Sequence, residues 1–482
     1  MMRDLEIQIG NSGWNDQGCA GGKSAAEQFG GSRAYCELRR ATRSAERAAT
    51  TRGEPVNRFG LIVLSMAGLV VASGGDSDIK RADLWKKDAQ AAVQAGQKDD
   101  PSAALPAFLQ LTTDFPENSR ALRNLAWTEQ KAGNPDQAEK YLRMYAAMGT
   151  TLQQGGPIYK SMADAGILEK VLEIKRNGEA VTTGSLVFTL GDANLVAEDI
   201  GYDPSTRHFF LSSVHEKKIL ECDSSGKCED VIHALPEMPL SAILALHVDA
   251  TRGVLWATTA GLNAEADFRP EYKGRSAVLK FDLRSHRLIH RFEPGDSREH
   301  AMGDMTVASN GDAYISDGES GDVYVVRHDG TKLESLVSAG VFVSPQTPAL
   351  NGDESLLYVP DYVEGIALIH LKNGTIEWMK GTSPMALEGI DGLYWTKTGL
   401  IATQNGTLPE RIVCFPLSAD NRVSGFEALE ANWPGLGDPT HGVVVGNDFY
   451  YIVNSGWDRV GDDGAIAPGK PASIWKMRIG SR

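Results

Sequence analysis

Cysteine is scarce in this chain, with 5 in 482 residues, and aromatic residues make up only 7% of it. The cysteine spacings match no zinc pattern, so a metal-stapled scaffold is excluded and stability must come from an ordinary hydrophobic core. The sequence also has no basic stripe. Its net charge is −15, which excludes a phosphate backbone as partner and therefore nucleic-acid binding. This acidity reads first as a solubility device, and secondly as a field that steers a cationic ligand. Hydrophobic content of 42% and charged content of 23% are ordinary for globular protein, and the length allows two domains.

Long apolar runs are missing with one exception, Phe59 to Val71 (FGLIVLSMAGLVV). At about 13 residues it is too short to span a bilayer comfortably, so no stable membrane span is expected. It fits the apolar region of a signal peptide: Arg58 precedes it and the small residues Ala72, Ser73, Gly74 and Gly75 follow, with cleavage after Ala72. Because 58 residues precede this segment, residues 1–55 read as a mis-assigned or disordered leader. A start at Val56 gives a conventional export signal over 56–75 and a periplasmic or secreted protein. A signal anchor with a cytosolic tail is the competing assignment.

In an oxidising compartment Cys222 and Cys228, which flank the five-residue turn Asp-Ser-Ser-Gly-Lys, face each other across a hairpin and are placed to bridge. Cys414, in RIVCFPL, reads as a core thiol.

From Ile79 to Met148 the apolar spacing is helical, with no β-branched run. A period of 34 is visible: Pro101, Ala104 and Phe108 recur as Pro135, Ala138 and Leu142. The stretch NLAWTEQKAGNPDQAEKYLRMY resembles a tetratricopeptide repeat, with Ala126 and Ala138 letting two helices approach and Gly133 turning between them. The region 79–150 is therefore expected to be helical, either as a cap on the rest of the protein or as a docking surface for a partner. Residues 151–184 read as a linker with a short helix through SMADAGILEKVLEIKRN.

Beyond residue 185 the pattern changes to strands. Six inner-strand segments (LVAEDIGYDP, LALHVDATRG, MGDMTVASNG, SPQTPALNGD, GIDGLYWTKTG and THGVVVGND) are each followed by an aromatic or aliphatic strand such as HFFLSS or FYYIVNS. The expected fold is mainly β, a six-bladed β-propeller over 185–482. The last blade ends at Ser473–Ile479 without a fourth strand, so SLVFTLG (185–191) is expected to supply it and close the ring.

Register follows from the apolar residue ending each inner strand: Tyr202, Val248, Val307, Leu350, Trp395 and Val445. Four positions upstream stand Glu198, Leu244, Gly303, Gln346, Asp391 and His441. Alternation places these six on one face at one height, converging on the channel. The chain here resembles the gluconolactonase and senescence-marker-protein (regucalcin) family of six-bladed hydrolases, through AEDIGYDP, GIDGLYW and hairpins such as KILECDSSG, AVLKFDLRS and DVYVVRHDG. That resemblance implies a divalent cation held by a Glu, two Asn and an Asp, the Asp also acting as base. Glu198 and Asp391 occupy the two acidic positions. The Asn positions fall on Gly303 and Gln346, and the sixth blade offers His441, so the implied metal set is Glu198, Gln346, Asp391 and His441. Its His favours zinc over calcium. Asp304 points to the opposite face unless a bulge turns it inward. Structural roles for His441 and Gln346, and channel lining by the two acids, are the alternatives.

Asp361, Asn405 and Trp457 are placed at the substrate rim, although turn chemistry also accounts for the first two. The long segments 261–275 and 454–470 read as a lid or specificity rim. The function implied is an exported metal-dependent hydrolase of the lactonase or esterase type, acting on a small-molecule lactone or ester. The alternative is a non-catalytic propeller platform with a helical docking arm.

Overall fold

In the computed structural model the described residues are 81–96, 100–235, 238–461 and 463–479. The leader and the export segment lie outside them. Among the described residues six helices come first: α1 (Arg81–Gly96), α2 (Pro101–Asp114), α3 (Ser119–Lys131), α4 (Pro135–Ala147), α5 (Pro157–Asp164) and α6 (Glu173–Asn177). Pro101 and Pro135 open α2 and α4 at the first helical position, where a missing N–H costs nothing. Asp100 and Asn118 cap α2 and α3 by accepting backbone N–H bonds with their side chains. The single helix expected over 161–177 is instead split into α5 and α6 at Gly166, whose φ of +69° suits glycine and ends α5.

The strands form six antiparallel sheets. After the short β1 (Val181–Thr182) and β2 (Ser185–Thr189), blade 1 contains β3 (Ala197–Asp203), β4 (His208–Ser213), β5 (Lys218–Cys222) and β6 (Cys228–His233). Blade 2 contains β7 (Ala242–Asp249), β8 (Val254–Ala260), β9 (Ser276–Asp282) and β10 (Leu288–Phe292). Blade 3 contains β11 (Met302–Val307), β12 (Ala313–Asp317), β13 (Val323–Val326) and β14 (Glu334–Val337). Blade 4 contains β15 (Ala349–Leu350), β16 (Leu356–Asp361), β17 (Gly365–His370) and β18 (Ile376–Trp378). Blade 5 contains β19 (Gly392–Thr396), β20 (Gly399–Gln404), β21 (Arg411–Phe415) and β22 (Glu427–Ala431). Blade 6 contains β23 (Gly442–Val445), β24 (Asp448–Val453) and β25 (Ser473–Arg478).

The architecture is the six-bladed propeller read from the repeats. β2 pairs antiparallel with β25 and completes blade 6, closing the ring. One strand was not foreseen: β1 adds a fifth, outermost strand to blade 5 by pairing with β22. The inner strand of blade 4 has only two residues because Pro345 and Pro348, which flank Gln346, cannot donate to a ladder. Cys222 and Cys228 are register partners in β5 and β6 and are joined as a disulfide, while Cys414 is half-buried.

The helices dock on the loops of blades 4 and 5. Asn118 Nδ2 donates to Val363 O at 2.7 Å, the Ser119 N–H to Glu388 Oε1 at 2.9 Å, and Arg411 to Gly149 O at 2.8 Å. Val363 joins the Trp85–Phe108–Leu125 core, and Ala386 joins the Leu142–Met162–Ile167 core. These loops end the second strands and precede the inner ones, so the helices lie on the face where the six register positions sit.

Candidate functional site

Three inner strands carry a bulge at the same level: between Ala197 and Ile200 in β3, Ile243 and Leu246 in β7, and Met302 and Asp304 in β11. A bulge adds a residue to one strand and re-aims the side chains beside it. In blade 1 it brings the neighbours Glu198 and Asp199 into the same web of charges. Asp199 Oδ1 accepts from Ile200 N and Oδ2 from Leu246 N, both at 2.7 Å, tying blade 1 to blade 2. Burial pushes its carboxyl up to about 6, opposed by the His441 charge and these two N–H bonds. In blade 3 the bulge turns Asp304 inward, the condition under which it was expected to matter.

Asp304 meets His441 at the centre. His441 Nε2 lies 2.9 Å from Asp304 Oδ1 and 2.9 Å from Thr347 Oγ1, and its Nδ1 lies 2.9 Å from the Glu198 carbonyl oxygen. Thr347 Oγ1 donates to Asp304 Oδ1 at 2.5 Å. One ring thus bridges blades 6, 1, 3 and 4. Burial alone lowers a histidine, but here the charges of Asp391, Asp304 and Asp199 override it and raise His441 well above its usual value.

On the mouth side, Glu198 accepts a hydrogen bond from the Trp457 indole at Oε2. Burial, followed by the Asp391 charge, pushes Glu198 up to about 8, with His441 and Trp457 pulling the other way. Asp391 is also raised by burial, against the His441 charge and a 2.8 Å bond from Asn405 Nδ2 to its Oδ2. Asn405 accepts in turn from the Tyr362 hydroxyl at 3.1 Å, and the Arg120 guanidinium of α3 sits 5.3 Å from the Tyr362 ring centroid. A chain of contacts therefore runs from the helices to Asp391. Asp438, in the loop before β23, carries a buried Oδ1 with no donor, and burial followed by the charges of Glu410, Asp391, Asp458 and Glu198 raises it far above the carboxylate range.

The two long segments meet opposite the helical side: Leu262 and Ala264 pack with Trp457, Val460 and Ile466, and Leu244 joins that cluster. The mouth is therefore flanked by helices at blades 4 and 5 and by a two-loop lip at blades 6, 1 and 2. At the channel's other end a cavity of about 420 Å³ is lined by Asp199, Thr347, Tyr394, His247 and Trp395 among others. The Tyr394 hydroxyl there accepts from Gly442 N at 2.7 Å. Burial lowers His247 to about 4 and keeps it neutral, although its ring retains some exposure to the cavity.

Of the residues named from sequence, Glu198, Asp391 and His441 lie within one electrostatic network, with Trp457 and Asn405 bonded to its acids. Two positions fall elsewhere. Gln346 turns its amide nitrogen to Ser344 O and Oγ at 3.2 and 2.9 Å. Asp361 is fully buried and accepts four backbone N–H groups, from Val343, Ser344, Val363 and Glu364 at 2.7 to 3.0 Å, so it pins loops and offers nothing to a ligand. Sequence reasoning passed over Asp199, Thr347 and Asp438. The adjacent acids of AEDIG were the visible signal for Asp199; Thr347 and Asp438 had none.

The implied metal is tested by the donors. A metal-binding imidazole needs an unprotonated nitrogen, and both nitrogens of His441 are directed at acceptors. Burial pushes Glu198 up to about 8 and Asp438 far above the carboxylate range, and among the described residues no group of three or more His, Cys, Asp or Glu is placed to hold a metal ion. The set Glu198, Gln346, Asp391 and His441 does not fit a divalent cation as the side chains stand, and the histidine argument for zinc falls with it.

No family model matches the chain, and no curated protein matches it. Among solved structures, a gluconolactonase from Xanthomonas campestris is similar over 63% of this chain and 97% of its own, at 15% identity and a TM-score of 0.42. Regucalcin from Agrobacterium tumefaciens, described as a calcium-binding protein, is similar over 62% and 98%, at 16% identity and a TM-score of 0.43. A virginiamycin B lyase from Staphylococcus aureus is similar over 56% and 81%, at 14% identity and a TM-score of 0.40. At these values no residue role is transferred from them.

Proposed function

We propose that the protein is a hydrolase of lactones or carboxylic esters, working at the channel mouth with Glu198 as general acid and Asp391 as general base. The observation that carries this is the pair itself: two carboxyls from blades 1 and 5, Asp391 buried and Glu198 half-buried, that repel each other's charge, of which Glu198 is pushed up to about 8. Two acids forced to titrate apart supply both halves of proton transfer at neutral pH.

Asp391 is assigned as the base, because the His441 charge and the Asn405 N–H favour its anion and Asn405 occupies only Oδ2. Its free Oδ1 takes a proton from water as the water oxygen attacks the carbonyl carbon. Glu198, steadied by Trp457 at Oε2, gives its proton to the departing alkoxide oxygen as the acyl–oxygen bond breaks. The proton on Asp391 then returns to Glu198 through solvent. No step is routed through a metal. The lip around Trp457 would narrow access of bulk solvent to the mouth and set the substrate's shape.

A panel of γ- and δ-lactones and aryl esters, assayed with and without added calcium, zinc or manganese, tests the proposal. Hydrolysis that falls at least about 100-fold in both Glu198→Gln and Asp391→Asn, with folding retained, supports it. No turnover under any of these conditions would refute it and favour the second reading, a binding platform. The specific observation behind that second reading is the helical segment packed on the mouth face at blades 4 and 5. Export through the 56–75 segment is part of the same proposal, and N-terminal sequencing of the native protein checks it.

A further inference from the structure

We propose that His441 is an internal cation: an imidazolium fixed across the channel that takes the position among the carboxylates of blades 1, 3 and 5 where a divalent ion would otherwise be expected. The partners of the two ring nitrogens carry the argument. Nδ1 faces the Glu198 carbonyl oxygen, which can only accept, so it carries a hydrogen. Nε2 faces Asp304 Oδ1 and Thr347 Oγ1. The threonine hydroxyl gives its own hydrogen to Asp304 at 2.5 Å, so toward the ring it too presents a lone pair. With the Thr347 hydroxyl turned to Asp304, both nitrogens donate, and a ring with two N–H groups is positively charged.

The surroundings agree. His441 is 2% exposed and Asp304 is 5% exposed, and a buried charge persists only when paired and hydrogen-bonded. Asp391 and Asp199 act on the same ring, which is raised well above an ordinary histidine. The imidazolium supplies one internal positive charge among the carboxylates of Asp391, Asp304 and Asp199. Its ring also has a mechanical role, because its three acceptors belong to blades 1, 3 and 4 while its backbone belongs to blade 6. Where the sequence departs from the expected Asn positions, at Gly303 and Gln346, the cation has been moved into the chain itself.

Two measurements on the full-length protein decide this, and neither involves turnover, so they stand or fall separately from the hydrolase proposal. In histidine-selective ¹⁵N spectra, with His441 assigned by its displacement in Thr347→Ser, both ring nitrogens should be protonated at pH 8, about 1.5 units above the usual histidine value. A neutral, single-tautomer ring there overturns the proposal. In elemental analysis after equilibration with calcium or zinc and dialysis, the native protein should keep less than about 0.1 ion per chain. His441→Asn, which deletes the charge, should keep about one. Stoichiometric metal in the native protein overturns the proposal, as does a folded variant that takes up none. If that variant does not fold, the nitrogen spectra and the native metal content decide.

Discussion

Removing the ring of Phe188 should weaken the whole propeller, because this residue joins its two ends. Phe188 lies on β2, the strand that completes blade 6, and is 5% exposed. It packs with Leu195, Phe209 and Leu211 of the first blade region and with Ile452 and Ile474 of the last, and its ring centroid is 5.8 Å from that of Phe209. Phe→Ala in such a core costs about 3–5 kcal/mol, from lost transfer energy and the cavity left behind. A cooperative unit of roughly 300 residues has an unfolding entropy of about 0.6 kcal/mol/K, so Phe188→Ala should lower Tm by about 5–8 °C. Leu186 is on the same strand but 54% exposed, and Leu186→Ala should stay within about 1 °C. Differential scanning calorimetry on both variants is the assay, and one transition is expected in each. A drop below about 2 °C for Phe188→Ala, or equal drops for the two variants, would mean that β2 does not close the ring. The consequence extends to the site, since Glu198 follows on the next strand and its distance from Asp391 is kept by the closed ring.

Two further outcomes follow from single carboxyls. Glu198 rises from an ordinary 4.5 to about 8 on folding, so the folded protein binds a proton that the unfolded chain releases, and this group makes stability fall as pH rises through that window. Glu198→Gln should therefore raise Tm at pH 9 and change it little at pH 4; melting curves with no pH-dependent difference would contradict the assignment. Asp361→Asn should cost at least about 2 kcal/mol, because an amide accepts through one oxygen while Asp361 satisfies four N–H groups through two. Denaturant melts measure that loss, and KM at a permissive temperature should not move; a KM change without a stability loss would restore Asp361 to the rim.

Much of the fold was legible because propeller strands repeat a local pattern. Apolar alternation and polar turns placed all six inner segments, and the missing fourth strand after Ser473–Ile479 identified 185–191 as the closing one. Register was less secure. Counting four residues upstream assumes an unbroken pleat, and three of the six inner strands are bulged at that level. The count still reached Glu198, Asp391 and His441, which share one charge network, but it missed Asp199, the partner that the blade 1 bulge ties to blade 2. In blade 4 the Gln346 N–H still donates to Pro360 O of β16 at 2.8 Å, yet its side-chain amide nitrogen turns to Ser344.

The sequence by itself determined the β-propeller and the helical segment before it, and brought Cys222 and Cys228 opposite each other, since each depends on local periodicity or on residues a few positions apart; closure followed from counting strands, because the last blade lacked one. The role of His441 was decided only in three dimensions. Whether an imidazole binds a metal or carries a charge depends on what faces its two nitrogens. Here those partners are Glu198, Asp304 and Thr347, which come from three other blades and are brought together only when the ring closes.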